Sequence, residues 1–113
     1  MEKQLWEACK DGRVEEVQKL LQNSQINTNW RDPLSQTPFW IACENGHIEI
    51  VKLLLNDNRV DINKANNEDK TTFYISRTPF YVACREGHIE IVKLLLRWWR
   101  IHVEASINTP SSI

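Results

Sequence analysis

Glycine and cysteine are both scarce in this sequence, three of each among 113 residues, alongside four prolines and a single methionine. So few glycines leave no Gly-rich phosphate loop. A small, odd number of cysteines does not make the disulfide framework of a secreted mini-domain. A dominant charge is missing as well: Lys+Arg 14 against Asp+Glu 15 gives −1. That balance excludes the broad basic field of a nucleic-acid or anionic-lipid binder. No window approaches the roughly 20 consecutive apolar residues of a membrane span. The opening Met1-Glu2-Lys3-Gln4-Leu5-Trp6-Glu7 carries no apolar stretch of the secretory kind, and no Asn-x-Ser/Thr sequon occurs. These features predict a cytoplasmic protein, with the nucleus left open. What is there is 42% apolar and 26% charged residues. This is the composition of one folded domain, and a chain of this size buries about two-thirds of its unfolded surface.

The scarce residues are placed periodically. Cys9, Cys43 and Cys84 are separated by 34 and 41 residues, and so are Gly12, Gly46 and Gly87. Self-similarity at such a period is the mark of stacked supersecondary units. The longest match is Gly-His-Ile-Glu-Ile-Val-Lys-Leu-Leu-Leu, at Gly46–Leu55 and again at Gly87–Leu96. Upstream, Thr37-Pro38-Phe39-Trp40-Ile41-Ala42-Cys43 pairs with Thr78-Pro79-Phe80-Tyr81-Val82-Ala83-Cys84. A weaker first copy runs through Leu5-Trp6-Glu7-Ala8-Cys9, Gly12, Val14, Val17, Leu20 and Leu21.

Each unit reads as two short helices. Thr37 and Thr78 are N-cap candidates, followed by Pro38 and Pro79 at the first helical position, where a missing N–H costs nothing. The first helix is expected to stop near Gly46 or Gly87, which suit a left-handed turn. The second is expected from about His47 to Leu55, with Glu49 and Lys52 spaced for an i,i+3 pair on its wet side. Its apolar residues Ile48, Ile50, Val51, Leu53, Leu54 and Leu55 cover more than one face, so it needs neighbours on several sides.

The pattern Thr-Pro-Phe-(Trp/Tyr)-x-Ala-Cys, leading into the repeated Gly-His-Ile-Glu-Ile-Val-Lys-Leu-Leu-Leu, resembles the ankyrin repeat. That family's hallmark is Thr-Pro-Leu-His-x-Ala at a period of about 33 residues. Phe39 and Phe80 stand at its leucine position, and Trp40 and Tyr81 at its histidine position. Asp61-Ile62-Asn63-Lys64-Ala65-Asn66 looks like the stretch leading into the family's finger, with Ser35 and Ser76 where its hairpin glycine usually stands. The resemblance covers roughly residues 3–105 and implies an all-α fold. Its architecture would be an ankyrin-repeat solenoid of helix-turn-helix units with β-hairpin-like finger loops. The expected domain is 1–105: repeat 1 about 3–36, repeat 2 about 37–77 including an insertion at 71–77, and repeat 3 about 78–105, followed by a flexible tail, 106–113.

The resemblance also implies a non-catalytic protein–protein interaction module that presents a concave surface of fingers and first helices to another protein. Carried over by position, the contact residues are Leu34, Gln36 and Arg77 before each Thr-Pro, then Lys10, Asp11, Glu44, Asn45, Arg85 and Glu86 before each Gly-His. Lys10, Glu44 and Arg85 alternate in sign, so a cross-repeat charge ladder of about 0–1 kcal/mol per pair is the competing, purely structural reading. Trp30, on the first finger, reads either as an anchor for a partner or as packing on a neighbouring finger.

The ends and the insertion depart from the pattern. Glu16 and Lys19 stand where repeat 2 has Ile50 and Leu53, as a terminal unit with nothing packed outside it requires, so repeat 1 reads as an N-terminal cap. Repeat 3 has no such change, and its outward side is expected to expose leucine and isoleucine. The Arg97-Trp98-Trp99-Arg100 segment that follows has three readings: a lid on that bare end, a second partner-binding patch at Trp98 and Trp99, or a shortened array. Self-association of a truncated array through its uncapped C-terminal end, and a regulatory or inhibitory subunit of an enzyme, are the alternative functions. Thr71-Thr72-Phe73-Tyr74-Ile75-Ser76 duplicates Thr78–Ala83 seven residues earlier. Thr37 to His47 and Thr78 to His88 are both ten apart, which makes 71–77 the insertion. Phe73 and Tyr74 there are either contact residues or packed at the finger base.

Chemistry is less well supported. Cys43-x₃-His47 and Cys84-x₃-His88 together form a ligand set that zinc accepts, but neighbouring helices pack about 8–10 Å apart, too far for ligands at about 2.0–2.3 Å. A Cys–His nucleophile needs one special pair with a third, orienting group, whereas here the pair is duplicated by repetition. Arg97-Trp98-Trp99-Arg100 is a single short basic-aromatic cluster on a near-neutral chain, weak ground for a nucleic-acid or membrane surface. No enzyme, cofactor or metal is expected.

Overall fold

In a computed structural model, residues 1–63 and 78–104 are described; the insertion 71–77, with Phe73, Tyr74 and Arg77, and the tail 106–113 lie outside them. Among the described residues, six α-helices occur in three pairs: α1 (Glu2–Asp11) with α2 (Val14–Leu21), α3 (Pro38–Asn45) with α4 (Ile48–Leu55), and α5 (Pro79–Arg85) with α6 (Ile89–Trp99). At 7 to 11 residues each, none is long enough to be stable alone in water. Their local signals are nonetheless strong. Thr37 Oγ1 accepts the Trp40 N–H at 3.0 Å and Thr78 Oγ1 accepts the Tyr81 N–H at 3.1 Å, each ahead of a proline. The α1 start lacks such a cap, and Glu2 works differently there. Its carboxylate accepts the Asn27 N–H at 3.0 Å, which holds it below its ordinary pKa and ties the first loop to the first helix.

Gly12 and Gly46 end α1 and α3 at φ 78 and 75, folding the N–H of Arg13 back to the Ala8 carbonyl and that of His47 to Ala42. The second helix begins one residue later than the sequence suggests: His47 and His88 sit at the N-cap, and α4 and α6 start at Ile48 and Ile89.

The pairs stack side by side in two layers. α1, α3 and α5 pack in sequence, as do α2, α4 and α6. Leu5, Phe39 and Val82 lie in the core from the first layer, and Val17, Ile50, Val51, Leu54, Ile91 and Leu95 from the second. On α2, Glu16 is half-buried and Lys19 exposed, where α4 has buried Ile50 and half-buried Leu53.

The fingers contain no strand among the described residues. The first is a hydrogen-bonded turn: the Asp32 N–H donates to the Gln36 carbonyl at 3.1 Å, and Asp32 Oδ1 accepts from the N–H groups of Leu34 and Gln36. Ser35 adopts φ 62 within it, the left-handed conformation for which the family uses glycine.

One expectation fails at the far end. At their equivalent helix positions the three cysteines are expected to pack as small buried hydrophobes; Cys9 and Cys43 are buried, but Cys84 is exposed. The cause is positional: α3 lies between α1 and α5, whereas α5 packs on α3 and α6 and, among the described residues, has no first-layer helix beyond it. Helix α6 also outruns α4. Asn56 and Asp57 end α4 in a turn, whereas Arg97-Trp98-Trp99 continue α6 into a π-helical turn, Arg100–Glu104.

Candidate functional site

The residues before each Gly-His form a row along the ends of α1, α3 and α5, and the row is cross-linked. His47 Nε2–H donates to the Lys10 carbonyl at 2.8 Å, and Asn45 Nδ2 donates to the same oxygen at 3.1 Å. One unit further on, His88 Nε2–H donates to the Glu44 carbonyl at 2.8 Å. A carbonyl can only accept, so both rings carry their proton on Nε2. Each ring also lies against the preceding glycine: a Cβ on Gly12 would sit 2.8 Å from His47 Cε1, and one on Gly46 would sit 2.7 Å from His88 Cε1. The repeated Gly-His thus fixes the distance between units.

The charge ladder is half formed. Arg85 pairs with Glu44 at 3.3 Å and with Glu86 at 2.9 Å. Lys10 instead places its ammonium 5.6 Å from the centre of the Trp6 ring, where the π face attracts it. Lys10, Asp11, Asn45, Arg85 and Glu86 are exposed and Glu44 is half-buried. Asp11 pairs only loosely with Arg13, at 3.5 Å.

The finger residues divide. Leu34 is exposed at the tip of the Asp32 turn. Gln36 is half-buried, and its carbonyl accepts the Trp6 indole N–H at 3.0 Å, so its backbone serves the junction between α1 and the finger. Trp30 is half-buried too. Trp98 packs against the core and stacks on His102, ring centres 4.6 Å apart and 17° from parallel, while Trp99 is exposed. Open cavities of about 490 Å³, between Leu55 and Trp98, and about 350 Å³, between Ile62, Phe80 and Trp99, flank that pair. Trp98 and Trp99 stand apart from the row.

Sequence reasoning missed the ties between loops. Arg59 reaches back to donate to the carbonyls of Leu21 at 2.8 Å and Asn23 at 3.0 Å, while Asp57 holds it at 2.7 Å. The hydrogen bond from Arg59 holds the Asp57 carboxyl below its ordinary pKa, and the same bond raises that of Arg59. Asn29 then bridges the two loops, donating to the Arg59 carbonyl at 2.8 Å and accepting the Asp61 N–H at 2.7 Å. The one sequence signal was a 34-residue echo, since Asn23 and Asp57, then Asn27 and Asp61, make the same local turn.

The two buried cysteines are not set up as nucleophiles. Burial pushes the Cys9 thiol up to about 12 and raises that of Cys43 as well, opposite to what a reactive thiolate needs. Among the described residues, no three His, Cys, Asp or Glu side chains gather to hold a metal ion, and no helix is long and apolar enough to cross a membrane. No curated protein matches the sequence. A family model described as ankyrin repeats matches residues 5–109 in three copies, and the chain, with its three stacked helix pairs, belongs to the ankyrin repeat family.

Proposed function

We propose that this chain is a non-catalytic recognition module, acting in the cytoplasm, that presents the row of helix ends and the finger tips of residues 1–105 to another protein. Ankyrin repeats are in general protein-interaction modules without catalysis. The observation that carries the reading is the cross-linked row: imidazole-to-carbonyl bonds of 2.8 Å at both junctions hold Lys10, Asp11, Asn45, Arg85 and Glu86 in fixed register. A backbone held this way loses little freedom on binding, and such pre-organisation raises affinity. Leu34 and Trp30 extend the surface onto the first finger, and in this reading Phe73, Tyr74 and Arg77 extend it onto the second.

Glu44 and Arg85 also pair with each other, so replacing them confounds binding with folding. Lys10→Glu, Asp11→Lys and Leu34→Asp together alter exposed side chains and leave both the imidazole-to-carbonyl bonds and the Arg85–Glu44 pair intact. The triple variant and the parent chain would be compared for proteins captured from a native lysate by quantitative mass spectrometry, with matched thermal melts. The expected result is roughly tenfold or greater loss of at least one specific partner, about 1.4 kcal/mol or more of binding energy. An unchanged captured set from an equally stable variant removes the assignment.

A further inference from the structure

Repeat 3 covers repeat 2 with a defined set of contacts: α5 on α3, α6 on α4, the His88 ring against Gly46, and His88 Nε2–H on the Glu44 carbonyl. Repeat 2 covers repeat 1 in the same way through His47, Gly12 and the Lys10 carbonyl. The C-terminal side of repeat 3 offers the same receiving parts. Gly87 holds φ 77 like Gly12 and Gly46, yet a Cβ built there meets nothing within 4 Å. Phe80 is 39% and Tyr81 37% exposed, where Phe39 and Trp40 are each 1% exposed, and Cys84, Ile89 and Leu96 are exposed beside them. Phe80 and Leu96 also line the 350 Å³ cavity, together with Trp99.

We propose that this face docks one helix-turn-helix unit of another polypeptide, which lays an imidazole over Gly87 and donates its N–H to the Arg85 carbonyl. The occupant's chemistry is set by the two junctions already built, which use one imidazole and an apolar flank.

A second copy of this chain does not supply those groups. Its front is repeat 1, where Arg13 stands at the histidine position, held by Asp11 at 3.5 Å and Glu16 at 3.4 Å. Glu16 and Lys19 replace the apolar Ile50 and Leu53. Among the described residues, the chain does not turn back over the face as it does after α4. There the turn at Asn56–Asp57 carries Val60 and Ile62 into the core, whereas α6 runs on through Trp99, and Ile101, at the position of Val60, is exposed.

Cys84 is the reporter, because Cys9 and Cys43 are buried. The probe is a copy of the chain whose front is converted by Arg13→His, Glu16→Ile and Lys19→Leu. Its own face is closed by Gly87→Ala and its reporter removed by Cys84→Ser. Added in excess, it is expected to slow modification of Cys84 on the unaltered chain by an aromatic disulfide reagent at least tenfold, and to give a one-to-one complex by sedimentation. A probe retaining Arg13 is expected to protect weakly, and an unaltered-front target with Gly87→Ala to be left unprotected, because the added methyl occupies the ring's place. Should the probe not fold, Arg13→His with Glu16→Ile alone supplies the same imidazole on a milder change.

Several outcomes overturn the proposal. No protection by a folded probe does so, as does equal protection of the Gly87→Ala target, which would mean unspecific apolar contact. Cys84 reacting as slowly as Cys43 in the chain alone would mean that the chain covers its own face. Protection that grows with the concentration of the unaltered chain would make a second copy the occupant.

Discussion

Helices α4 and α6 carry the same eight residues, Ile-Glu-Ile-Val-Lys-Leu-Leu-Leu, and the side chains turned towards the preceding unit are buried in both, Ile50 like Ile91 and Leu54 like Leu95. Those turned the other way part company. Val51 is buried and Val92 half-buried; Ile48 and Leu55 are half-buried, while Ile89 and Leu96 are 64% and 50% exposed. An identical sequence in nearly identical helices thus has two different environments, because in a solenoid the burial belongs to the junction between units. Apolar surface contributes about 25 cal/mol per Å² only once it leaves water, so the same leucine stabilises repeat 2 more than repeat 3.

The largest test of this contrast is at the two phenylalanines. Phe39→Ala empties a site inside the stack and is expected to cost about 3–5 kcal/mol, whereas Phe80→Ala, on the open face, is expected to cost less than half as much. Urea midpoints for the two variants read the difference, and equal shifts would break the comparison.

The glycines sharpen it. Alanine at φ 75 or 77 costs roughly 1–2 kcal/mol at either position, since both are left-handed. At Gly46 the new methyl also meets the His88 ring at 2.7 Å, so the ring must leave and its bond to the Glu44 carbonyl is lost. Gly46→Ala is therefore expected to cost about 1–1.5 kcal/mol more than Gly87→Ala, roughly 4–8 °C in Tm. Coincident melts would mean that the imidazole contributes nothing to the junction.

A third contrast lies in the loops. Arg59 caps the end of α2 and is held by Asp57; in repeat 3 the matching residues are Arg100 and Trp98. Arg59→Ala is expected to cost about 1–2 kcal/mol, a charged hydrogen bond discounted for partial exposure. The folded pKa of Asp57 lies below its unfolded value, so this tie stabilises the fold above the ordinary carboxylate range, near about 4, and fades as pH falls through the lowered value. The stability gap between the parent chain and Asp57→Asn should accordingly be open at neutral pH and close in acid. A gap independent of pH would place the effect elsewhere.

These contrasts also show what was legible beforehand. Thr37-Pro38, Thr78-Pro79, Gly12 and Gly46 act through bonds to residues three to five positions away, so the helix starts and stops could be read directly. Stacking was legible too, because α4 is apolar on more sides than one neighbour can cover. Ties across some 30 to 40 residues were not: nothing local marks Arg59 as the cap of α2 or Asn29 as a bridge. The repeated histidines stood out, but the sequence offered them only a metal or nucleophile role, which the spacing and the repetition argued against; their actual partners are carbonyl oxygens of the unit before. Cys84 looked like Cys43 because its sequence surroundings are the same; the difference is that, among the described residues, no further helix pair stacks beyond repeat 3. Of the expected contact residues, those in the row were placed together by the repeat period, while Trp98 and Trp99 fell outside it.

A smaller effect is expected where repeat 2 is entered. Ser35 holds φ 62 in the Asp32 turn, at a cost that glycine avoids. Ser35→Gly relieves this strain but makes the unfolded chain more flexible, leaving a net gain of roughly 0.5 kcal/mol. A loss of stability would mean that the turn depends on the serine side chain.

The smallest effect is the control for all the others. Glu49 and Lys52 on α4, and Glu90 and Lys93 on α6, form the same i,i+3 pair at the same 3.5 Å, and all four side chains point into solvent. Such pairs contribute about 0.2–0.5 kcal/mol and weaken with salt. Glu49→Gln and Glu90→Gln should therefore have the same small effect, equally abolished at high ionic strength. If junction burial is what separates the two helices, this wet side is where they must agree. A clear difference there would show that α4 and α6 differ in intrinsic stability, and the phenylalanine and glycine contrasts would then need that difference subtracted before being assigned to stacking.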